Sequence, residues 1–335
     1  MNHRHETSDH RNSLARRDFL KSTAAVASVA ACSSGIVRAA DTSSKTSESL
    51  VKVLYETLSP KQKETICFDW NFVDPKLGLL RTRTSNNWHI TKPTIEEEFY
   101  TAEQRDMVRK IFEGLIVPEW HAKFDQQLSD DGGGWGKQQN IAIFGKPGDD
   151  KFEFVMTGRH MTMRCDGNSE QHVAFGGPIF YGHDPGAQAS NVFWEQALAA
   201  NKVHEMLNGK QRAMAEVAKT PREQDVGFRG KDGKFLGIPA TELSADQKAQ
   251  LQKTLDKLFE PYRKSDTAEA LQCFKAQGGL DACYLAFFTD VNIEDTKIFD
   301  NWRVEGPSFV WHFRGAPHVH VWVNIADTST VKLNA

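Results

Sequence analysis

No stretch of the chain is both long and apolar enough to cross a bilayer, which takes roughly 20 residues. The small-residue run Ala24–Ala31 falls far short of that length. Several motifs that announce catalytic folds are missing too: there is no GxSxG, no HExxH and no glycine fingerprint of a dinucleotide-binding turn. Gly132–Gly136 is glycine-rich but lacks the Lys-Ser/Thr ending of a phosphate loop, so it reads as a linker between elements. Basic charge is not in excess. Lys and Arg number 41 against 44 Asp and Glu, a net charge of −3, which argues against a nucleic-acid partner. Cysteine is scarce, 5 residues in 335, and none has the CxxC spacing of a zinc or haem site. Cys273 and Cys283 are close enough in sequence to close a loop, and an oxidising compartment would let them pair. Cys67 and Cys165 read equally well as buried thiols. Carboxylate pairs for a glycosidase, such as Asp69 with Asp74 or two of Glu96–Glu98, have no support without a known separation in space, so no catalytic residue is assigned.

What is present is an ordinary core composition with an unusual beginning. Hydrophobic residues make up 39% of the chain, with 8 Trp and 21 Phe, enough to build one large domain. Residues 1–40 stand apart. Arg16-Arg17-Asp18-Phe19-Leu20-Lys21 has the form of a twin-arginine export signal, and Ala24–Ala31 forms its short apolar region. Val37-Arg38-Ala39 suits a signal peptidase, while Val29-Ala30-Ala31-Cys32 has the form of a lipobox, which would anchor Cys32 to lipid. Gly35–Ala40 continues like a signal ending, which favours soluble export to the periplasm or beyond. Residues 1–40 hold six Lys/Arg against three Asp/Glu, so their removal would take the net charge from −3 to −6. The twin-arginine machinery, the partner this segment implies, carries folded proteins, often with a cofactor already in place.

Residues 41–49 are polar and read as a linker. Residues 50–330 predict a single α+β domain, an antiparallel sheet flanked by helices. Ser59-Pro60, Thr101, Asn208 and Ser244 each open a helix, with Gln three residues on, a capping pattern. These helix openings recur without a full-length period, so no solenoid is predicted. Gln139–Phe144 and Lys151–Cys165 read as strands joined by the turn Gly145–Asp150. Pro221–Pro239 reads as a surface excursion. The last block is mostly strands, ending in Phe309–Phe313 and Val319–Ile325 around a Gly-Ala-Pro turn.

That last hairpin carries the densest metal-ligand chemistry in the chain. His318 and His320 are two apart, so on a strand they share a face. A hairpin centred near Gly315 would place His312 opposite His318. An HxH pair with one further ligand makes a three-residue site with an open position for water or substrate. His160, from another strand, is the next candidate. The candidate metal ligands are therefore His318, His320, His312 and His160. Imidazoles of this kind suit a divalent transition metal, Zn, Cu or Fe. The expected function is a metal-dependent enzyme, hydrolytic or oxidative, acting on a small molecule; the alternative is a secreted protein that binds a metal or small ligand without turnover. His89, His183, Arg81 and Arg83 are weaker candidates, His183 for reach to the site and the arginines for an acidic substrate.

The strand segment Thr157-Gly158-Arg159-His160-Met161-Thr162-Met163 and the terminal Pro317-His318-Val319-His320-Val321-Trp322 together resemble the domain-of-unknown-function family numbered 3500. Asn87-Trp88-His89 and the helix holding Gln104 and Arg105 are similar to its early segments, and Gly306-Pro307-Ser308-Phe309 to its Gly-Pro strand. His160 stands at the second His of the family's His-His pair, with Arg159 replacing the first. His312 stands where relatives often carry Glu. The resemblance covers most of residues 50–326 and implies a shared fold and a His-based site; it implies no particular activity.

Overall fold

The computed structural model describes residues 46–149, 151–167, 169–185, 190–290 and 298–331. The signal, lipobox and cleavage readings lie outside these residues. The described chain forms one α+β domain with a mixed, mostly antiparallel sheet. No helix among the described residues is long and apolar enough to cross a membrane.

The first half runs α1 (Ser47–Thr57), α2 (Pro60–Ile66), β1 (Cys67–Phe68), a small ribbon of β2 (Val73–Asp74) and β3 (Gly78–Leu79), α3 (Ala102–Leu115), α4 (Pro118–Gly132), β4 (Gln139–Gly145), β5 (Phe152–Gly158), β6 (Met161–Cys165) and β7 (Ile179–His183). The second half runs α5 (Trp194–Met206), α6 (Gly209–Ala215), β8 (Glu216–Val217), β9 (Ile238–Pro239), α7 (Ala245–Phe259), α8 (Lys264–Ala276), β10 (Tyr284–Phe288), β11 (Asn301–Gly306), β12 (Phe309–Arg314) and β13 (Val319–Ile325). Helix α1 begins inside the stretch that reads as a linker, with the Thr46 side chain accepting the Ser49 N–H as its cap.

The two halves repeat one topology. Outward from the β7–β13 pair, the strand order is β6, β5, β4, β1 on one side and β12, β11, β10, β8 on the other. Both short outer strands, β1 and β8, pair parallel to their neighbours. Met161 opens β6 and pairs with Tyr181, and Phe309 opens β12 and pairs with Ile325. Two residues back along β7 and β13 stand Ile179 and Val323, which pair with each other. A pseudo-two-fold axis therefore passes through that pair. The four Gln caps belong to the same repeat. Gln62 and Gln104 exchange side-chain hydrogen bonds of 2.8 and 3.2 Å, and Gln211 and Gln247 exchange two of 2.9 Å. The four helix openings thus fall two to each half, and within each half the two meet in a buried amide pair.

Every described helix contributes to one core against one face of the sheet, with Trp302, Trp311, Phe313, Phe154 and Ile179 among the strand residues there. The opposite face is covered by two long excursions. Residues 69–92 lay Leu80 and Ile90 on Ala142, Phe144 and Val155. Of the stretch Pro221–Pro239, expected as a surface excursion, residues 221–237 strap the second half, with Val226 buried against Phe180, Val310 and Trp322, and Ile238–Pro239 form β9. The strap is tied at the Arg229–Glu305 ion pair, 3.1 Å, and by Asn324 Nδ2 donating to the Val226 carbonyl at 2.9 Å.

Three expectations change here. The segment Lys151–Cys165 is not one strand: it folds back at Arg159-His160 into the β5–β6 hairpin, with Gly158 paired to Met161. Cys273 and Cys283 form no disulfide; both are buried free thiols, and Cys283 donates to the Gly279 carbonyl at 3.4 Å. Arg81 is not poised for an acidic substrate, because it is buried and bonded to Glu153 at 3.0 Å. Arg164 meets the other Glu153 oxygen at 2.9 Å and also binds the Arg83 carbonyl, fastening the 69–92 excursion to the sheet. Burial pushes the Glu153 carboxyl up to about 7 despite the opposing pull of Arg164 and Arg81.

Candidate metal centre

The centre is assembled where the two halves meet. His320 lies on β13, paired with Gly182 of β7 on one side and Arg314 of β12 on the other. His318 precedes the strand by one residue. His160 comes from the β5–β6 turn, whose two-residue length forces the chain to reverse sharply. Its φ of 55° lies in the left-handed region, which a side chain with a Cβ rarely adopts. The Asn86 carbonyl accepts its N–H at 3.3 Å and its own carbonyl accepts the Gly182 N–H at 3.2 Å, so both its main-chain groups are held.

The three Nε2 atoms converge. His320 Nε2 lies 3.0 Å from His318 Nε2 and 3.2 Å from His160 Nε2, and the three offer ligand atoms all within 4.8 Å of one another. Each ring turns its Nδ1 toward a carboxylate. His160 Nδ1 is 2.8 Å from Asp131 Oδ2, His320 Nδ1 is 2.9 Å from Glu223 Oε2, and His318 Nδ1 is 3.6 Å from Asp184 Oδ2. A carboxylate accepts, so the Nδ1 atoms of His160 and His320 carry the proton and their Nε2 atoms present lone pairs, while Asp184 stands beyond hydrogen-bond reach of His318. The His160 and His320 lone pairs, facing one another at 3.2 Å, repel unless a cation sits between them. Two nitrogens each about 2.05 Å from a shared ion lie roughly 2.9 Å apart at a right angle and about 3.3 Å apart at a tetrahedral one. The observed spacing fits an ion between them.

Each carboxylate is itself positioned. Asp131 sits in the last turn of α4, which Gly133 ends in the left-handed conformation, φ 78°, while the Gly134 N–H bonds back to the Leu128 carbonyl. The glycine-rich stretch at 132–136 is thus a helix stop that leaves Asp131 facing His160. Asp131 also accepts from Gln127 at 2.7 Å and from the Asp184 N–H at 2.8 Å. Burial alone would raise its carboxyl, but the His160 hydrogen bond and these donors outweigh it and hold it below the usual range. Glu223 is delivered by the strap and braced by Arg314 at 3.4 Å. Burial opposes its ionisation as well, and the His320 hydrogen bond and Arg314 charge prevail. Burial pushes the His320 imidazole down to about 4, further than the Glu223 hydrogen bond pulls it back, and lowers His318 too. Both shifts favour the neutral imidazole, the form that binds metals.

The expected ligands separate. The structure brings His160, His318 and His320 together and leaves His312 apart. In the observed register His312 faces Trp322, not His318, and Val310 faces Asn324. His312 is fully buried, and its Nδ1 accepts from Arg303 Nε at 3.2 Å, so it supports the sheet beneath the strap. His183 is also occupied: its Nε2 meets Asp130 at 3.1 Å and its Nδ1 accepts the Val192 N–H at 3.1 Å. His89 is exposed and outside the cluster. Sequence reading missed Asp131, Glu223 and Asp184. Asp184 adjoins His183 and Asp131 adjoins the glycine stretch, yet no spacing links either to the histidines, and Glu223 lies far from any ligand in sequence.

Among known proteins, no curated entry and no solved structure matches the chain. A family model does match, over residues 39–325, and on that match the chain belongs to the family described as protein of unknown function DUF3500.

Proposed function

We propose that the protein is an exported, metal-dependent enzyme acting on a small molecule, with His160, His318 and His320 as the metal ligands. One observation carries the reading: His320 Nε2 lies 3.0 and 3.2 Å from the Nε2 atoms of His318 and His160, while Asp131 and Glu223 hold the Nδ1 atoms of His160 and His320 and Asp184 stands 3.6 Å from that of His318. Carboxylates behind ligating imidazoles fix the tautomer and ring orientation and raise ligand basicity. Three protein ligands, one of them partly exposed, leave a coordination position for water or substrate, the arrangement that favours an enzyme over a closed binding site. A divalent transition metal held there supplies Lewis acidity and an activated water if Zn, or oxygen chemistry if Fe or Cu. The chain's own part is to keep the three nitrogens unprotonated, to orient them, and to shield His160 and His320 from bulk water. The twin-arginine segment at Arg16-Arg17 supports export of the folded, loaded protein to the periplasm or beyond.

The test is metal analysis of protein folded and exported by its native host. About one transition metal per chain is expected, falling to background in a His318→Ala/His320→Ala variant that remains folded. Equal metal content in parent and variant would sink the assignment.

A further inference from the structure

The three imidazoles differ in access. The side chains of His160 and His320 are 5% and 6% exposed, whereas His318 is 21% exposed, so the centre opens on the His318 side. Two arginines stand at that opening. Arg159, next to His160 in the β5–β6 turn, is one-third exposed and reaches Asp184 Oδ2 at 3.4 Å. Arg314, opposite His320 in register, lies 3.4 Å from Glu223 Oε1 and donates to the His318 carbonyl at 3.3 Å. These contacts are long, and the Nε of each arginine is buried with no partner among the described residues. Arg164, on the same sheet, shows what a committed guanidinium does here, with bonds of 2.7–2.9 Å to Glu153 and to the carbonyls of Pro178 and Arg83. A guanidinium has five N–H donors. Arg159 and Arg314 therefore hold donors in reserve beside the coordination position.

The charge at this rim selects further. Asp131 and Glu223 are turned inward onto His160 and His320, which leaves Asp184, 36% exposed, as the rim carboxylate. Each arginine faces one carboxylate, Arg159 with Asp184 and Arg314 with Glu223, so the excess positive charge here would be that of the metal, and a phosphate dianion would also meet Asp184 at close range. The planar fork of arginine matches a carboxylate.

Resting on the metal reading above, we propose that the centre takes a small organic carboxylate, its carboxylate gripped by Arg159 and Arg314 next to the metal. The test loads the protein with Co2+ and follows its visible bands during titration with benzoate, benzamide and phosphate. Benzoate shifts the bands saturably, benzamide does not, and phosphate acts only at higher concentration. Arg159→Ala weakens benzoate about tenfold or more with Co2+ uptake unchanged, and Arg159→Lys recovers only part of the loss. Arg159 touches Asp184 as Arg314 touches Glu223, so the Co2+ uptake of each Arg159 variant is measured beside its benzoate affinity, and only a loss of benzoate at unchanged uptake counts for the grip. Benzamide binding as tightly as benzoate, or an Arg159→Ala protein that binds benzoate like the parent, overturns the carboxylate assignment alone. A parent protein that takes up no Co2+ overturns the metal reading and this one with it.

Discussion

His160 combines two demands that usually fall on different residues. Its backbone takes the left-handed conformation of a tight turn, φ 55°, where glycine would be unstrained, yet its ring is needed by Asp131 and the centre. Strain of this sort persists where the surrounding structure over-determines it, and it collects at functional sites. Replacing His160 by Gly or by Ala removes the same ring. Only the Gly variant relieves the backbone, so it should be more stable than the Ala variant by about 1 kcal/mol in urea unfolding. Equal midpoints would mean the turn bears no strain. Acid should act on the same residues. Burial pushes the His320 imidazole to about 4 in the metal-free fold, below the roughly 6.5 of an unfolded histidine. Between those values the unfolded chain binds a proton that the folded chain refuses, so stability falls as pH drops through the window. The Glu223 carboxyl, held below its usual range, adds a loss of the same sign. On the order of 3 kcal/mol should vanish between pH 7 and pH 4 in metal-free protein. His320→Gln should flatten that slope; an unchanged slope would place the acid lability elsewhere.

At the scale of elements, the sheet is held to its helices by more than apolar contact. The buried amide pairs Gln62–Gln104 and Gln211–Gln247 close four capping boxes and tie each short helix to a long one. Gln247 Nε2 also donates to the Met206 carbonyl at 2.7 Å, the last residue of α5, and Gln211 Nε2 to the Glu242 carbonyl at 2.8 Å. Removing one amide leaves its partner buried with an unmatched group, at a cost of about 2 kcal/mol. The pair should therefore couple: Gln211→Ala/Gln247→Ala should lose about 1 kcal/mol less than the sum of its single variants in chemical denaturation. Strict additivity would mean that the two amides act independently. The excursions are the counterpart on the other face. One is pinned by a buried Arg81–Glu153–Arg164 triad, whereas the other carries Glu223 to the centre. The repeated topology thus has its scaffold in both halves and the histidine centre once among the described residues.

The described residues build one main sheet around a pseudo-two-fold axis, and His320 lies three residues along β13 from Val323, through which that axis passes. His160, Asp131 and Asp184 belong to the first half; His318, His320 and Glu223 belong to the second. A bound metal would therefore clasp the halves together rather than stabilise either alone. At a free metal concentration 100 times the dissociation constant, stability should rise by about 2.7 kcal/mol. Chelation should lower the melting temperature while leaving one transition, seen alike by tryptophan fluorescence and by circular dichroism. Two separated transitions after chelation would show that the β7–β13 pairing does not couple the halves.

Some of this was legible in the residues alone. Which face His318, His320 and His312 take follows from the two-residue period of a strand, a local property. That face survived although the hairpin register did not: the observed pairing sets His312 against Trp322 rather than His318, a shift of four residues along β13. An even shift keeps every side chain on its face and changes only its neighbours. Helix starts were legible for the same reason, because a cap and its Gln lie within one turn. The tertiary structure decided the rest. It folded Lys151–Cys165 back on itself and so carried His160 to the centre, and it left Cys273 and Cys283 apart as thiols. It also brought Asp131, Asp184 and Glu223 behind the three imidazoles from three distant segments. Contacts of that kind depend on how a helix end, a strand end and a strap pack in space, and no spacing along the chain encodes that packing.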